Sequence, residues 1–431
     1  MKRSGQRIPT VLLFPFFLCG LSAQELATPP VVGSPTRVAQ RITDLKPTVI
    51  LISIDGCRWD YPDKYPSPNL NELIRTGVRG EMIPAFPTET FPNHYTLVTG
   101  LYPGNHGIVA NNFWDDKLQA RFKGEGDPSG LEARWWGGEP IWVTAQKQGQ
   151  KAAAMFWPGS EAPIHGMNPA YYQKYQHHMP HTQRVQWGLQ QLDRPASERP
   201  TFNTMYFSVV DTANHDYGPE SPEAAAALLE ADKAVGEFIT GLKARGIYDQ
   251  VNVVVVADHG HTLVSNQRQM FLEDYVDIEK VHVADWSPVL AIRAKDGNNA
   301  DLYAKLQKLP HAKVYRKQDI PKRLHYGKGP RIMPIIALAE PGWGFYATRK
   351  RMLERRREER GAHGYDPAVR DMHAVFIAHG PDFKPGAKLM PFENVHVYPA
   401  MAKILGLKPA ANDGDVKVLE KVMVKAKAAV R

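Results

Sequence analysis

Tyr206-Phe207-Ser208-Val209-Val210-Asp211-Thr212-Ala213-Asn214-His215 decides how this 431-residue chain is read. An apolar run of strand-forming residues passes straight into a carboxylate and, four residues later, an imidazole. Val253-Val254-Val255-Val256-Ala257, followed by Asp258-His259-Gly260, repeats the arrangement, and Val49–Ile54 stops at Asp55-Gly56. Valine, isoleucine and aromatic residues suit a pleated surface, and a continuous apolar run marks a strand covered on both faces. In an open α/β sheet the carboxyl ends of the strands form the edge where ligands collect. Three runs ending in Asp or Asp-His therefore bring several metal-ligating groups to one edge of one sheet.

Working outward, strand and helix patterns alternate. Met205–Val210, Val251–Ala257, Ala152–Phe156 and Met372–Ala378 read as further buried strands. Asn69–Thr76 and Thr182–Leu192 read as helices, as does Val397–Leu405, stopped by Gly406. Pro222–Arg245 is a long amphipathic helix stopped by Gly246. This alternation predicts an α/β fold with a central, mostly parallel sheet flanked by helices. Between about 271 and 343 the units shorten: Val289–Ile292, a helix over Asp301–Leu309, then Ala312–Tyr315. That stretch reads as a small α+β insertion in a catalytic domain of about 45–415. Residues 416–431 form a basic tail, expected to be a loosely held helix or strand.

Composition narrows the class. Hydrophobic content of 43% with 10% aromatics supplies a core and excludes global disorder. The net charge of +8 is spread out. The densest basic cluster, from Arg349 to Arg357, is broken by Glu354 and followed by Glu358 and Glu359, which fits a solvated face better than a nucleic-acid patch. At the N-terminus, Lys2, Arg3 and Arg7 precede the apolar Val11–Leu18 and then Leu21-Ser22-Ala23, which offers small residues for cleavage. This is a signal-peptide pattern over 1–23 with cleavage near Ala23, and the apolar run is short for a membrane span. Residues 24–44 read as a linker. Of two cysteines, Cys19 and Cys57, only Cys57 survives cleavage, so the mature chain holds no internal disulfide. An exported protein without disulfides is expected in a bacterial periplasm or as a secreted bacterial product.

Taken alone, Asp211-x-x-x-His215 is as readily a surface carboxylate beside a hydrogen-bonded histidine. Two such pairs, with Asp55 and with His363 of Gly361-Ala362-His363-Gly364, change the balance. Carboxylates crowded at one sheet edge raise one another's pKa unless a cation intervenes. Six ligands divide into three for each of two divalent cations, with a position open on each, as a catalytic site requires. A second constellation is Pro87-Thr88-Glu89-Thr90-Phe91-Pro92-Asn93-His94-Tyr95. Pro92 suits the first turn of a helix, which puts Thr90 where the helix dipole favours an anion. A cation can activate the Thr90 hydroxyl as a nucleophile. By residue type Thr88 competes, and Thr90 could equally serve as an N-cap. Asn111 could donate its amide to a phosphoryl oxygen, or simply belong to a turn.

Together with Leu97–Pro103, His106–Ile108, Tyr217–Pro219, His363–Asp366, Trp157–Glu161 and Glu393–Pro399, these motifs resemble the nucleotide pyrophosphatase/phosphodiesterase family of the alkaline phosphatase superfamily. The resemblance runs from about Pro47 to Asp413. It implies an alkaline phosphatase-like fold and a phosphodiesterase with two zinc ions per chain. Thr90 would form a covalent intermediate on the way to a nucleoside 5′-monophosphate. It further implies that Asp55, Thr90, Asp258 and His259 hold one zinc, that Asp211, His215 and His363 hold the other, and that Asn111 holds a phosphoryl oxygen. Phe91 and Tyr206 match flanking aromatic residues that contact the substrate. The expected partner is a small nucleotide or other phosphodiester, without a stable nucleic-acid complex or a membrane span in the mature chain. Two positions depart from the family pattern: Asn214 stands where glycine is common, and His261 where methionine often follows Asp-His-Gly. A phospholipid-type choline phosphodiesterase, with Tyr171, Tyr172 and Tyr175 as a possible ammonium pocket, is the alternative. An exported metal-binding protein without catalysis is the remote one.

Overall fold

The computed structural model describes residues 40–124, 126–354 and 359–424. The expected signal peptide, most of the linker, and the ends of the basic cluster and the tail lie outside these residues.

Eight strands form the central sheet: β1 (Val49–Ile54), β2 (Val78–Ile83), β3 (Ala152–Met155), β4 (Tyr171–Gln173), β5 (Phe202–Phe207), β6 (Asn252–Val256), β7 (Ala374–His379) and β8 (Ala387–Glu393). Their order is β8-β2-β7-β6-β1-β5-β3-β4. Every neighbouring pair is parallel except those of β7, which runs against both β2 and β6. The central strands β1, β5, β6 and β7 are buried along their whole length, as their unbroken apolar sequences require when helices cover both faces.

Register fixes the site. Ile54 pairs with Phe207 and Ser53 with Val256, so β1, β5 and β6 finish level with one another. The reversed strand β7 starts where its neighbours end, because Phe376 pairs with Val256. The segment that leads into β7, including His363, is thereby delivered to the same edge.

One expectation needs correcting. The strand expected over Met205–Val210 ends at Phe207, and Val209 and Val210 open a helix, Val209–Tyr217. Ser208 turns to helical dihedrals, and the two valines belong to the apolar face of the helix. Apolar periodicity does not separate the end of a buried strand from the start of a buried helix.

Three helices matter for the site: α1 (Thr90–Thr99), closed by Gly100 in the left-handed region; α2 (Val209–Tyr217); and α3 (Pro222–Ala244), capped by the Ser221 hydroxyl. A separate four-stranded antiparallel sheet is made of Val281–Trp286, Val289–Ala294, Ile335–Ala339 and Ala312–Arg316, in that spatial order. Its apolar core, with Leu302 and Leu306 of the helix Asn299–Leu306, continues into Val264, Ala362, Tyr365 and Met372. The start of the tail is not loosely held. Lys417–Glu420 is a short helix, and Leu419, Val422 and Met423 are buried in the main core.

Candidate active site

Asp55 follows β1 and is 1% exposed. Its Oδ2 accepts a 2.6 Å hydrogen bond from the Tyr206 hydroxyl, while Oδ1 is buried without a partner. Asp258, two residues beyond β6, accepts from the Gly56 N–H at Oδ1; its Oδ2 lies 2.9 Å from His259 Nε2 without making a hydrogen bond. His259 Nε2 is 3.7 Å from Asp55 Oδ1 and 3.3 Å from Thr90 Oγ1. Four donor atoms therefore face one point.

A second cluster sits beside it. Asp211 and His215 are one turn apart on α2, with 3.4 Å between Oδ1 and Nε2. His363 Nε2 is 3.2 Å from His215 Nε2 and 4.0 Å from Asp211 Oδ1.

The tautomers explain what these clusters are for. His259 Nδ1–H donates to the Gly260 carbonyl, His215 Nδ1–H to that of Gly361, and His363 Nδ1–H to that of Thr88. A carbonyl only accepts, so each ring carries its proton on Nδ1 and turns the Nε2 lone pair inward. Two lone pairs 3.2 Å apart beside a carboxylate repel one another unless a cation joins them. The distances suit one: edges of a tetrahedron with ligand bonds of about 2.0 Å measure about 3.3 Å. The same residues form three groups able to hold a metal ion: Asp211, His215, His261 and His363; Asp55, Asp211 and His259; and Asp55, His94 and Asp258.

Charge points the same way. Burial, together with Asp258 and Asp211 nearby, pushes the Asp55 carboxyl well above the usual carboxylate range. Burial would also raise Asp258 and Asp211, but adjacent histidines outweigh it: His259 and His94 hold Asp258 down, and His215, His261 and His363 hold Asp211 down. Burial lowers His363, and the neighbouring histidines lower it further. These carboxylates and imidazoles fit divalent cations.

Backbone geometry brings the segments this close. Gly56 has φ +69°, and a Cβ there would meet the Asp211 Cα at 2.9 Å. At Gly361 a Cβ would lie 2.5 Å from the Asn214 carbonyl oxygen. Asn214 is buried; its amide donates to the Gly56 carbonyl and its side-chain oxygen accepts from Tyr61. This departure from the family pattern thus acts as a brace between α2 and the end of β1.

Thr90 is the first residue of α1, with Glu89 as the cap. Thr88 is buried, donates its hydroxyl to the Tyr365 carbonyl and accepts the Gly364 N–H, so its oxygen is already committed. Asn111 Oδ1 accepts the Phe91 N–H, which leaves its amide N–H groups to donate elsewhere. A cavity of 580 Å³ opens over Thr90, lined by Asp55, Phe91, Asn111, Tyr175, Tyr206 and Asp211 among others. Of the sequence-predicted site residues, Asp55, Thr90, Phe91, Asn111, Tyr206 and Asp211 line this cavity, whereas Asp258, His259, His215 and His363 lie behind it in the two clusters. Tyr206 belongs to its wall, with its hydroxyl committed to Asp55.

Three participants lie outside the residues predicted for the site. His94 bonds Ser53 through Nε2 and the Thr90 carbonyl through Nδ1, bracing both, and its Nδ1 lies 3.4 Å from Asp258 Oδ2. Glu89 accepts the Asn111 N–H and meets the Ser287 hydroxyl, which also bonds Asp285. His261 reaches Asp211. His261 alone had a signal, its departure from the family pattern.

Comparison with known proteins places this geometry. The family model for type I phosphodiesterase/nucleotide pyrophosphatase matches residues 49–366. A venom phosphodiesterase of Macrovipera lebetinus is 40% identical over 380 residues, covering 85% of this chain and 44% of its own length. Ectonucleotide pyrophosphatase/phosphodiesterase family member 3 of Rattus norvegicus is 38% identical over 382 residues, covering 86% and 43%. The chain thus spans less than half the length of these curated relatives. Among solved structures, human ectonucleotide pyrophosphatase/phosphodiesterase 5 superposes with a TM-score of 0.84 at 33% identity, covering 88% of this chain and all of that one. An inactive threonine-to-alanine variant of the murine protein, in complex with AMP, superposes with a TM-score of 0.83 at 33% identity, with the same coverage. The fold is the alkaline phosphatase-like α/β fold that the motifs implied, and the chain belongs to the type I phosphodiesterase/nucleotide pyrophosphatase family.

Proposed function

We propose that this chain is a two-zinc phosphodiesterase and pyrophosphatase that cleaves nucleotide diesters and diphosphates to nucleoside 5′-monophosphates. The carrying observation is the convergence of three inward Nε2 lone pairs and three carboxylates beside the Thr90 hydroxyl. Asp55, Thr90, Asp258 and His259 would hold one cation, and Asp211, His215 and His363 the other. When bound, the cations lower the pKa of the attacking hydroxyl and offset charge on the phosphate.

Thr90 Oγ1 forms a bond to phosphorus as the bond to the leaving oxygen breaks in line. Asn111 donates its amide N–H to a phosphoryl oxygen. Water then cleaves the Thr90 ester, restoring the hydroxyl and releasing the monophosphate. The Phe91 ring, on the cavity wall, offers a stacking face for a base, worth roughly 1–3 kcal/mol. In the same reading the protein is exported after cleavage near Ala23, to a bacterial periplasm or medium; N-terminal sequencing of the mature protein checks this. Among the described residues no helix is long and apolar enough to cross a membrane.

The test is Thr90→Ala. It is expected to keep two zinc ions per chain and lose turnover of p-nitrophenyl thymidine monophosphate by about four orders of magnitude or more. Normal turnover would sink the assignment. A choline phosphodiesterase would share the cations and Thr90. In its favour, Tyr175 and Glu161 line the cavity and could face a quaternary ammonium. Tyr171 instead lies under the Arg194 guanidinium, and Tyr172 is exposed. A higher kcat/KM for a choline phosphodiester than for the thymidine ester would replace the nucleotide reading.

A further inference from the structure

His261 is a buried imidazole that the proposed reaction does not use. Its Nε2 lies 2.8 Å from Asp211 Oδ1, in hydrogen-bonding geometry, and its ring meets those of His215, His259 and His363 edge-on at 4.8–5.4 Å. Its position follows from strand pairing. Thr262 pairs with Ala362, so the residue before one strand and the residue after the other, His261 and His363, lie side by side.

The ring is confined from both sides by backbone. A Cβ on Gly56 would approach His261 Nε2 to 3.0 Å, and a Cβ on Gly361 would approach its Nδ1 to 3.0 Å. Gly56 follows the ligand Asp55, and the carbonyl of Gly361 orients the ligand His215. His261 is therefore wedged between two segments that carry or aim ligands.

Its hydrogen bonding is the inverse of its neighbours'. His215, His259 and His363 each give Nδ1–H to a carbonyl and present an Nε2 lone pair. His261 Nδ1 is buried without a hydrogen-bond partner, while Nε2 faces a carboxylate oxygen, which accepts. The proton accordingly sits on Nε2. A ring with its proton on the inward nitrogen is a donor there and has no lone pair to give a cation. An acceptor nitrogen left unpaired is also the cheaper arrangement, since orphaned buried N–H groups are the rarer case.

We propose that His261 is a positioning residue for the second cation site: its Nε2–H occupies one lone pair of Asp211 Oδ1 and turns the others toward the space between His215 and His363. This rests on the two-cation reading above. Partners that orient a ligand in this way typically change metal affinity about 10–100-fold when removed.

The experiment is zinc titration of the full chain against a chromophoric chelator, with cobalt absorption of the substituted protein as the second readout. Wild type is expected to bind two ions. H261M removes the donor at similar volume, and H261N keeps a polar group too short to reach Asp211. Each is expected to weaken one of the two sites about 10–100-fold and leave the other tight. H261Q, whose amide N–H reaches the place of Nε2, is expected to recover most of that loss. Two equally tight sites in H261M and H261N would overturn the proposal. So would H261Q binding as weakly as H261M with a cobalt spectrum that has lost a nitrogen ligand, since His261 would then be a ligand itself. Wild-type protein that binds no zinc would instead sink the two-cation reading on which the proposal stands.

Discussion

The two halves of the candidate site use the same residue types on different supports. Asp55, Asp258 and His259 sit at the ends of two hydrogen-bonded central strands, with side chains 0–1% exposed. Asp211, His215 and His363 come from a helix turn and from the end of a strand outside the central sheet, with side chains 19%, 39% and 9% exposed. The first half inherits its geometry from sheet register. The second is assembled by contacts between separate segments, braced by Asn214, Gly361 and His261. Burial makes the first half exacting and costly to disturb; exposure makes the second accessible to water and substrate.

The largest expected difference between the halves is in stability. Asp258→Asn removes a fully buried carboxylate that His259 approaches at 2.9 Å and His94 at 3.4 Å. Removing one partner of such a buried set costs about 3–5 kcal/mol. His215→Ala, on the open half, is expected to cost about 1 kcal/mol. Urea unfolding of the metal-free proteins measures both, and equal losses would break the contrast. In the zinc-loaded proteins, His215→Ala is expected to lose one ion and Asp258→Asn the other.

A smaller effect tests whether the buried half also depends on an orienting group. Tyr206→Phe removes the 2.6 Å donor to Asp55 and leaves the ring on the cavity wall. Zinc affinity at one site is expected to fall about 10-fold with KM for the thymidine ester little changed. If KM rises while zinc affinity stays constant, Tyr206 serves the substrate and not the ligand.

This contrast also explains what could be read from sequence. Asp55, Asp258 and His259 were legible because a buried strand advertises itself as an apolar run and its end is marked by the first charged residue. Asp211 was found for partly the wrong reason, since Val209 and Val210 already belong to α2; the i, i+4 spacing to His215 is what the helix uses. Thr90 and Asn111 were named from motif resemblance, but the Asn111 Oδ1 bond to the Phe91 N–H depends on how segments twenty residues apart meet. Glu89, His94 and His261 act through hydrogen bonds to residues 198, 41 and 50 positions away, and single-sequence periodicity carries no information about such pairings.

The smallest expected effect lies at the joint between the site and the antiparallel sheet. Glu89, directly before Thr90, accepts the Asn111 N–H at 2.6 Å, and the Ser287 hydroxyl lies between it and Asp285. Burial, with Glu89 beside it, pushes the Asp285 carboxyl well above the usual carboxylate range. Glu89→Gln keeps an oxygen for the Asn111 N–H and an amide that can donate toward Asp285, so turnover is expected to change less than about threefold, within about 0.7 kcal/mol. Glu89→Ala leaves the part-buried Asn111 N–H without its acceptor, at a cost of about 1 kcal/mol, and is expected to lower kcat through misplacement of Asn111 and Thr90 while zinc stays bound. If Glu89→Ala also released an ion, the joint would be supporting the ligands as well as the nucleophile. The rigid half of the site would then extend beyond the central sheet to Asp285 and Ser287.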